Sequence, residues 1–303
     1  MSAGMAFISG MELVLAAPAK LNLMLGITPQ IVDGKHELKT VFTTIDLADT
    51  LTFTIDEARA RSVTVEVTNA PDITPLDIPT EKNIVYKAVS ALEESTGYTL
   101  QGHLHIRIDK RIPHEAGLAG GSTDAAATLK ALAELWGIDP LSPPVLVAAA
   151  KLGADVTFFL HGGCALMGGG GEKLLKRLPK PALDLVLVRP DGGVSTKEAY
   201  ATFDADPQTM PDYEPLVRLL EGGNATPQAI AGQLANNLAP AATALLPAIR
   251  TLTDELSATP GVYKALLTGS GSTVFAVCGS AETTTSIAEA YSARGYWAKS
   301  CTT

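Results

Sequence analysis

A glycine-rich stretch with small and hydroxyl side chains precedes an apolar, alanine-rich run in RIPHEAGLAGGSTDAAATLKALAELWG (residues 111–137). Glycine lets a backbone approach a ligand closely, and the first turn of a helix presents unpaired N–H groups and partial positive charge. The segment is therefore suited to binding phosphate groups. Ser122 and Thr123 add hydroxyls that could contact phosphate or Mg²⁺. A tight turn before a packed helix would have the same composition, so the loop alone leaves both interpretations open.

The known phosphate-loop patterns do not fit this stretch. No Gly-Lys-Ser/Thr follows at the spacing of a P-loop, and no G-x-G-x-x-G of the dinucleotide type is present. If the stretch binds phosphate, it does so as a different kind of loop.

Two charged residues stand in apolar segments, Lys20 in APAKLNLMLGI and Asp155 in LGADVTFF. An unpaired charge there would be costly, and a nearby cation would keep a carboxylate ionised. Lys20 is thus a natural partner for Asp155. Lys20 and Asn22 alternate onto one strand face. The alternatives are that Lys20 protects an edge strand, that Asp155 caps a helix or forms a structural ion pair, and that Asn22 is a turn residue.

The amino-acid composition limits the classes of protein to which this chain could belong. The chain has 303 residues, 46% hydrophobic and 18% charged, which fits a globular protein of about two domains. A net charge of −9, with no Lys/Arg run longer than two, argues against nucleic-acid or anionic-membrane partners. Three widely spaced cysteines fit neither a disulfide framework nor a zinc site, which favours the cytoplasm. The N-terminus lacks the basic region of a signal peptide, and we expect residues 1–10 to form a loose extension.

Hydrophobic periodicity predicts the elements around these residues. A helix should begin at Thr80 as N-cap and end at Gly97, and a second should follow the glycine loop. The buried stripe of that second helix is Leu129, Leu132, Ala133 and Trp136, with a stop at Gly137. The other predicted elements are strands in MELVLAAPAKLNLMLGIT, DLADTLTFTIDEA, SVTVEVTNA, LQGHLHIRIDKRI, LDLVLVRP, VYKALLTGSGSTVFAVCG and YWAKSCTT, and helices in PPVLVAAAKLG, TKEAYATFD, residues 214–256 and AETTTSIAEAYSARG.

Strand-like material broken by two glycine clusters is expected in ADVTFFLHGGCALMGGGGEKLLKRL. The composition changes near residues 168–182, from glycine-rich to LLKRLPKPALD, and this change predicts a domain boundary. The two domains would be residues 1–170 and 171–303, in an α+β chain.

The glycine loop resembles the second motif of the GHMP kinase superfamily, P-x-x-x-G-L-G-S/G-S-x-A-A, which covers ATP phosphates in those enzymes. APAKLNLMLGI (17–27) is similar to the first motif of the superfamily, and LLTGSGSTVFAVC (266–278) to the third. Order and spacing agree over nearly the whole chain. The resemblance implies a two-domain GHMP kinase fold, with an N-terminal domain like ribosomal protein S5 domain 2 and a ferredoxin-like C-terminal domain.

Two stretches point to one branch of the superfamily. PAKLNLMLGITPQIVDGKHELKTVFTTIDLADTL and LGADVTFFLHGGCALMGGGGE resemble the 4-diphosphocytidyl-2-C-methyl-D-erythritol kinase family. Homoserine kinases would instead show P-A-[TS]-x-x-N-L-G-x-G-F-D. The implied reaction is ATP-dependent phosphorylation of the 2-hydroxyl of 4-diphosphocytidyl-2-C-methyl-D-erythritol, in the non-mevalonate route to isoprenoid precursors. The implied partner is a small substrate with a cytidine diphosphate group, and the chain would act as a monomer or homodimer.

The resemblance also implies roles for individual residues. Lys20 and Asp155 would be catalytic, Asn22 would lie beside the substrate hydroxyl, and His36 would contact cytosine. Mg²⁺ would accompany ATP, with Ser122 as the one candidate ligand. The implied ATP-binding residues are Pro113, Gly117, Leu118, Gly120, Gly121, Ser122 and Thr123, and Gly269, Ser270 and Gly271 would form a substrate-side loop.

The sequence departs from the family pattern at two positions. Lys35 stands where the family has an aromatic residue that stacks on cytosine, and Thr157 stands where proline is common. Glu115, inside the phosphate loop, should point to solvent. Because of Lys35, a GHMP kinase with another hydroxyl substrate stays open, as does a non-catalytic nucleotide-binding regulator.

Overall fold

The computed structural model describes residues 12–32 and 34–303, so the predicted extension at residues 1–10 lies outside the described part. The chain divides into two compact units that alternate along the sequence. Unit 1 contains residues 12–19, Leu47–His114 and Ala119–His161, and unit 2 contains Lys20–Asp46, Glu115–Leu118 and Gly162–Thr303. The strands are β1 (Glu12–Val32), β2 (Lys35–Asp56), β3 (Ser62–Asn69), β4 (His103–Lys110), β5 (Cys164–Gly168), β6 (Lys173–Leu178), β7 (Asp184–Arg189), β8 (Ala235–Asn236), β9 (Val262–Leu267), β10 (Val274–Cys278) and β11 (Trp297–Thr302).

The helices lie between these strands, and most begin where the sequence offers a capping side chain or a proline. In α1 the Asn83 side chain accepts a hydrogen bond from the Val85 N–H, and in α5 Ser195 caps in the same way. The helices are α1 (Ile84–Thr96), α2 (Gly120–Leu135), α3 (Pro143–Leu152), α4 (Ala154–His161), α5 (Thr196–Ala205), α6 (Glu214–Glu221), α7 (Pro227–Gln233), α8 (Ala239–Leu245), α9 (Ala248–Ser257) and α10 (Ala281–Ala293).

Unit 1 contains a layer of strands and the four helices α1 to α4. β4 pairs with β3 in parallel and with the second half of β2 in antiparallel register, with Thr50 opposite Asp109. Alternate side chains of β2 and β4 are buried, which gives this layer its apolar face. Helices α2 and α3 pack against each other, and each also packs against α1 and α4.

Unit 2 contains a four-stranded antiparallel sheet in the order β11–β7–β10–β9. Helices α9 and α10 pack against this sheet. Along the chain the order is strand, helices, strand, strand, helix, strand, as in ferredoxin-like domains, so the expected C-terminal architecture is confirmed. The first half of β2 pairs with β5, which pairs with β6, and β1 pairs in parallel with the short β8.

Three local expectations were wrong. Residues ADVTFFLH form helix α4 and not strand-like structure, because a short run that is apolar on every side does not distinguish a buried helix from a strand. The N-cap of α1 is Asn83, since Thr80 begins a separate 3₁₀ turn, Thr80–Lys82. Trp136 was expected in the buried stripe of α2, but it is only half-buried at the end of that helix. Its ring stacks on Tyr98 there, with 5.6 Å between the ring centroids.

The boundary at residue 170 stays a prediction. The two units alternate along the chain, and unit 2 begins its longest segment at Gly162. Within the described ranges, none of the helices combines the length and the apolar character that crossing a membrane requires.

Candidate active site

Lys20 and Asn22 lie on the same face of β1 and are bonded to each other. The Lys20 Nζ donates to the Asn22 Oδ1 at 2.6 Å, and both residues are buried, at 4% and 2% exposure. The ammonium also lies 4.8 Å from the centroid of the Phe42 ring. The alternation predicted from the sequence is confirmed, and a buried lysine does not fit the edge-strand alternative.

Hydrogen bonds to other residues of unit 2 hold the side-chain amide of Asn22 in one orientation. Its Nδ2 donates to the Thr40 Oγ1 at 2.9 Å, and that hydroxyl donates to the Met24 carbonyl at 2.7 Å. The Thr268 Oγ1 accepts from the Asn22 N–H at 3.1 Å and donates to the Asn22 Oδ1 at 3.3 Å. Because the backbone N–H and both side-chain polar atoms of Asn22 are hydrogen-bonded, the Asn22 Oδ1 is fixed toward the Lys20 ammonium.

The third motif follows Thr268 and packs directly on this pair. Gly269 has φ of +58°, and a Cβ there would lie 3.4 Å from both the Lys20 Nζ and the Asn22 Oδ1. The Asn236 Nδ2 donates to the Gly269 carbonyl at 2.9 Å. Ser270 is half-buried, and its hydroxyl lies 2.9 Å from the Thr196 Oγ1. The loop predicted to border the substrate therefore lies beside Lys20 and Asn22.

Residues 115–118 of the glycine-rich stretch pack against the same loop. The Lys20 N–H donates to the Leu118 carbonyl, the Ser272 N–H to Glu115, and the Thr273 N–H to Ala116. Gly117 has φ of +73°, and a Cβ there would lie 2.2 Å from the Thr268 carbonyl oxygen. Only glycine fits, because both the backbone conformation and the close approach exclude a side chain.

Glu115 is exposed, as the sequence predicted. A Cβ at Gly193 would lie 2.7 Å from its Oε2, so the carboxylate lies along that glycine. Burial lowers the pKa of the nearby Arg189, against the opposing charges of Glu115 and Asp191. The Arg189 Nε donates to the Ser272 Oγ at 3.2 Å, which ties this arginine to the third-motif loop.

Helix α2 begins with an open N-terminus in unit 1. Ala119, at φ of +58°, precedes the helix and has no side-chain oxygen with which to cap it. The first four residues, Gly-Gly-Ser-Thr, carry no acidic side chain that could occupy the free N–H groups. Ser122 is half-buried and Thr123 is buried. This geometry suits an anionic group at the helix start.

A buried charge cluster that the sequence analysis missed lies beneath this helix start. The Lys110 Nζ donates to the Asp49 Oδ2 at 2.5 Å and to the Asp124 Oδ2 at 2.8 Å. Burial acts to lower the pKa of Lys110, but Asp124 and Asp49 together raise it. Burial raises the pKa of Asp124 to about 7, with Asp49 adding to the rise and Lys110 opposing it. The sequence did contain a signal for this cluster, because the two-residue alternation of a strand places Asp49 and Lys110 on the buried faces of β2 and β4.

Asp155 is the second residue of α4 in unit 1 and is half-buried. A carboxylate in the first helical turn is favoured by the helix dipole. Thr157, one of the two departures from the family pattern, is buried, and its Oγ1 finds no hydrogen-bond partner among the described residues. Pro113, the remaining residue assigned to ATP binding, is buried immediately after the strand that ends at Lys110.

His36 is the second residue of β2 in unit 2, and its ring lies against helix α5. Its Nε2 lies 2.7 Å from the Asp204 Oδ1, a partner that the sequence did not indicate. The Tyr200 ring lies 5.0 Å away between centroids, and the fully buried Phe203 ring meets His36 edge-on at 6.3 Å. Phe203 is thus a core residue.

Lys35 extends along the second glycine cluster. A Cβ at Gly170 would lie 2.7 Å from the Lys35 Cδ, and the Lys35 Nζ is 3.7 Å from the Glu172 Oε2. More than half of the Lys35 side chain is exposed. Its stem therefore follows the backbone of the glycine cluster while its ammonium pairs with Glu172.

Unit 2 thus brings together Lys20, Asn22 and the third-motif loop, with Leu118 of the glycine-rich stretch. His36 lies in the same unit, with its ring against α5. Unit 1 contains the open start of α2 and, on α4, Asp155. Among the residues that the structure describes, no group of three or more His, Cys, Asp and Glu side chains is placed to hold a metal ion.

Comparison with known proteins agrees with the resemblance seen in the motifs. The model of the GHMP kinases N terminal domain matches residues 83–163, and that of the GHMP kinases C terminal domain matches residues 216–296. Solved structures with this fold include a homoserine kinase of Cytophaga hutchinsonii, at a TM-score of 0.69 and 20% identity, over 99% of this chain and 96% of that one.

Proteins with a higher sequence identity to this chain share the name of one kinase. A 4-diphosphocytidyl-2-C-methyl-D-erythritol kinase of Pelotomaculum thermopropionicum is 37% identical, over 93% of this chain and 94% of the relative. That of Desulfitobacterium hafniense is 38% identical, over 94% and 93%. A crystal structure of 4-(cytidine 5'-diphospho)-2C-methyl-D-erythritol kinase superposes with a TM-score of 0.74 at 32% identity, over 96% and 98%. The chain therefore belongs to the GHMP kinase superfamily and, within it, to the 4-diphosphocytidyl-2-C-methyl-D-erythritol kinase family.

Proposed function

We propose that this protein transfers the γ-phosphoryl group of ATP to the 2-hydroxyl of 4-diphosphocytidyl-2-C-methyl-D-erythritol, a step of the non-mevalonate isoprenoid route. The observation that carries the proposal is the Lys20 ammonium, buried and oriented by Asn22 where the glycine-rich stretch meets the third-motif loop. The identity of the substrate in this proposal is taken from the name that the relatives share. The pairing of a fixed cation with a phosphate loop is what phosphoryl transfer requires.

ATP binding is assigned to the glycine-rich stretch and the start of α2. Catalysis of this reaction consists mainly of positioning and charge stabilisation, and backbone N–H groups provide both without a change of protonation. The open N-terminus of α2 supports this assignment. The residues assigned to ATP are Pro113, Gly117, Leu118, Gly120, Gly121, Ser122 and Thr123.

Lys20 and Asp155 are assigned to the chemical step. Asp155 accepts the proton of the substrate hydroxyl as general base, and Lys20 stabilises charge on the transferred group. The hydrogen bond from Lys20 to Asn22 supports this role, because it fixes the direction of the ammonium. Asn22 lies on the substrate side of Lys20 in this assignment.

Mg²⁺ is part of the proposal as the ion that accompanies ATP. This ion commonly keeps several waters and binds through one or two protein oxygens plus phosphate groups, so the lack of a multi-carboxylate site among the described residues is compatible with it. The half-buried Ser122 hydroxyl, at the start of α2, is the side chain assigned to it. When bound, the ion would neutralise charge on the phosphate oxygens.

The substrate side is assigned to His36 and to the loop of Gly269, Ser270 and Gly271. The Asp204 carboxylate fixes the His36 ring, and the half-buried Tyr200 provides an aromatic face near it. Lys35 gives no aromatic face for cytosine. Instead its stem and its contact with Glu172 border this region.

Two other functions remain as alternatives. The first, motivated by Lys35 in place of the usual stacking aromatic, is a GHMP kinase with a different hydroxyl substrate, and it is not favoured by the relatives, which share the cytidyl kinase name over most of this chain. A non-catalytic nucleotide-binding regulator is disfavoured by the ordered Lys20–Asn22 pair. A cytoplasmic location, supported by three buried cysteines that are all unpaired, and a monomeric or homodimeric state belong to the same proposal.

The decisive experiment is a measurement of ADP release from the purified protein with Mg·ATP. The cytidyl substrate, homoserine, mevalonate and galactose would be supplied in parallel. We expect turnover with the cytidyl substrate alone. Turnover with another acceptor would instead support a GHMP kinase with a different substrate. Nucleotide binding with no turnover on any acceptor would support a non-catalytic regulator.

A further inference from the structure

Asn236 is a buried residue that none of the sequence motifs contains. It is the second residue of the short strand β8, and it is 8% exposed. Its Nδ2 donates to the Leu267 and Gly269 carbonyl oxygens, each at 2.9 Å, and its Oδ1 accepts from the Leu238 N–H at 2.9 Å. Both polar atoms of this side chain are therefore bonded to the backbone.

A side-chain amide suits this position because two carbonyls must be bonded at once. Leu267 ends β9, and Gly269 is the first glycine of the third-motif loop. An amide NH₂ has two hydrogens and can donate one to each carbonyl, whereas a hydroxyl has one hydrogen and a carboxylate has none. Asn236 thus holds the end of β9 and the start of the loop in a fixed relation.

The segment that Asn236 holds is the one that contacts the Lys20–Asn22 pair. A Cβ at Gly269 would lie 3.4 Å from both the Lys20 Nζ and the Asn22 Oδ1. Thr268 lies between the two bonded carbonyls, and its hydroxyl accepts from the Asn22 N–H and donates to the Asn22 Oδ1. A shift of this segment would therefore move the hydroxyl that orients Asn22, and with it the direction of the Lys20 ammonium.

The next residue, Asn237, has the same side chain and the same exposure of 8%, but other partners. Its Oδ1 accepts from the Ile27 N–H at 2.9 Å, and its Nδ2 donates to the Ile27 carbonyl at 2.8 Å and to the Gln208 carbonyl at 3.2 Å. Neither partner belongs to the third-motif loop. The two asparagines are thus alike in burial and bonding, and they differ in the segment that each one holds.

We propose that Asn236 is a positioning residue for phosphoryl transfer, which acts through Thr268 and Gly269 to keep the Lys20 ammonium and Asn22 in place. This role rests on the proposed function, because it takes Lys20 as the group that stabilises charge on the transferred phosphoryl. A misplacement of about 1 Å in such a group can cost about 100-fold in rate. Asn236 should therefore affect kcat much more than the KM for ATP, whose binding is assigned to the glycine-rich stretch and the start of α2.

The test compares Asn236→Asp with Asn237→Asp as the matched control. Each substitution keeps the acceptor oxygen and replaces an NH₂ group that donates to two carbonyls, so urea denaturation should show similar losses of stability. ADP release is measured with Mg·ATP and the cytidyl substrate at a temperature where both variants are folded. We expect kcat of Asn236→Asp to be at least about tenfold below that of Asn237→Asp, with KM values for ATP within about twofold of each other.

A double-mutant cycle with Asn22→Ala shows whether Asn236 acts through the Lys20–Asn22 pair. In the Asn22→Ala background, Asn236→Asp should lower kcat by much less, because the ammonium has already lost the partner that directs it. This cycle needs no Asn237 variant. Equal kcat losses in Asn236→Asp and Asn237→Asp would overturn the inference, and so would an undiminished effect in the Asn22→Ala background.

If an aspartate variant does not fold, Asn236→Ala is compared with Asn237→Ala in the same way. Failure of both Asn236 variants to fold would also overturn the positioning role, because the residue would then serve folding. The wild type separates these outcomes from failure of the proposed function. A wild type that gives no turnover with the cytidyl substrate overturns the proposed function and the role of Asn236 together, whereas normal wild-type turnover confines any failure to Asn236.

Discussion

Gly117→Ala tests whether the close contact between the glycine-rich stretch and the third-motif loop is essential. A methyl group at Gly117 would lie 2.2 Å from the Thr268 carbonyl oxygen, so the two backbone segments must separate. Separation weakens the hydrogen bonds from Ser272 to Glu115 and from Thr273 to Ala116. Each such bond contributes about 1 kcal/mol, and the left-handed conformation of alanine costs about 1 kcal/mol more. We expect the free energy of unfolding to fall by about 3 kcal/mol.

Gly97→Ala is the matched control, because Gly97 has φ of +74° and no atom within 4 Å of an added Cβ. It should lose only the conformational part, about 1 kcal/mol. Both variants are compared by urea denaturation and by ADP release with saturating Mg·ATP. Since the Lys20 N–H bonds to Leu118, beside the altered glycine, Gly117→Ala should also lower kcat/KM by more than about tenfold, a loss of over 1.4 kcal/mol in transition-state stabilisation. Equal stability and activity of the two variants would refute the packing argument.

Three further outcomes are expected. Asp155→Asn should lower kcat by about 10²–10⁴-fold, the usual contribution of a general base, and a loss below about tenfold would remove Asp155 from that role. Lys35→Tyr should lower KM for the cytidyl substrate with little change in the KM for ATP, and equal shifts in both would contradict a specific effect at cytosine. Burial raises the pKa of Cys164 and Cys301 to about 12 and that of Cys278 to about 11. A thiol reagent at about pH 8 should therefore label them only after denaturation, and rapid labelling of the native protein would show that these sites open.

The local signals at the site were readable in the sequence. Lys20 and Asn22 are two residues apart on a strand, so period-two geometry placed them on one face without tertiary information. The Gly-rich stretch before an alanine-rich run specified an open helix start at Gly120. In the third motif, apolar runs on both sides of the glycines specified strand, turn and strand.

Other features could not be predicted from neighbours in the sequence. The segment ADVTFFLH is apolar on every side, and its helical state follows from packing among the helices of unit 1. The bond between Asn22 and Thr268 spans 246 residues and exists only because the third-motif loop packs on β1. In the same way His36 meets Asp204 across 168 residues.

The sequence by itself determined which residue types stand at which spacing, and hence the family and the faces on which Lys20 and Asn22 lie. It did so because strand and helix periodicity is set by the local backbone. Only the tertiary structure decided that Asp49, Lys110 and Asp124 share one buried site. Burial and the distances between charges set the protonation of such groups, and both arise when strands and a helix that are distant in the chain pack together.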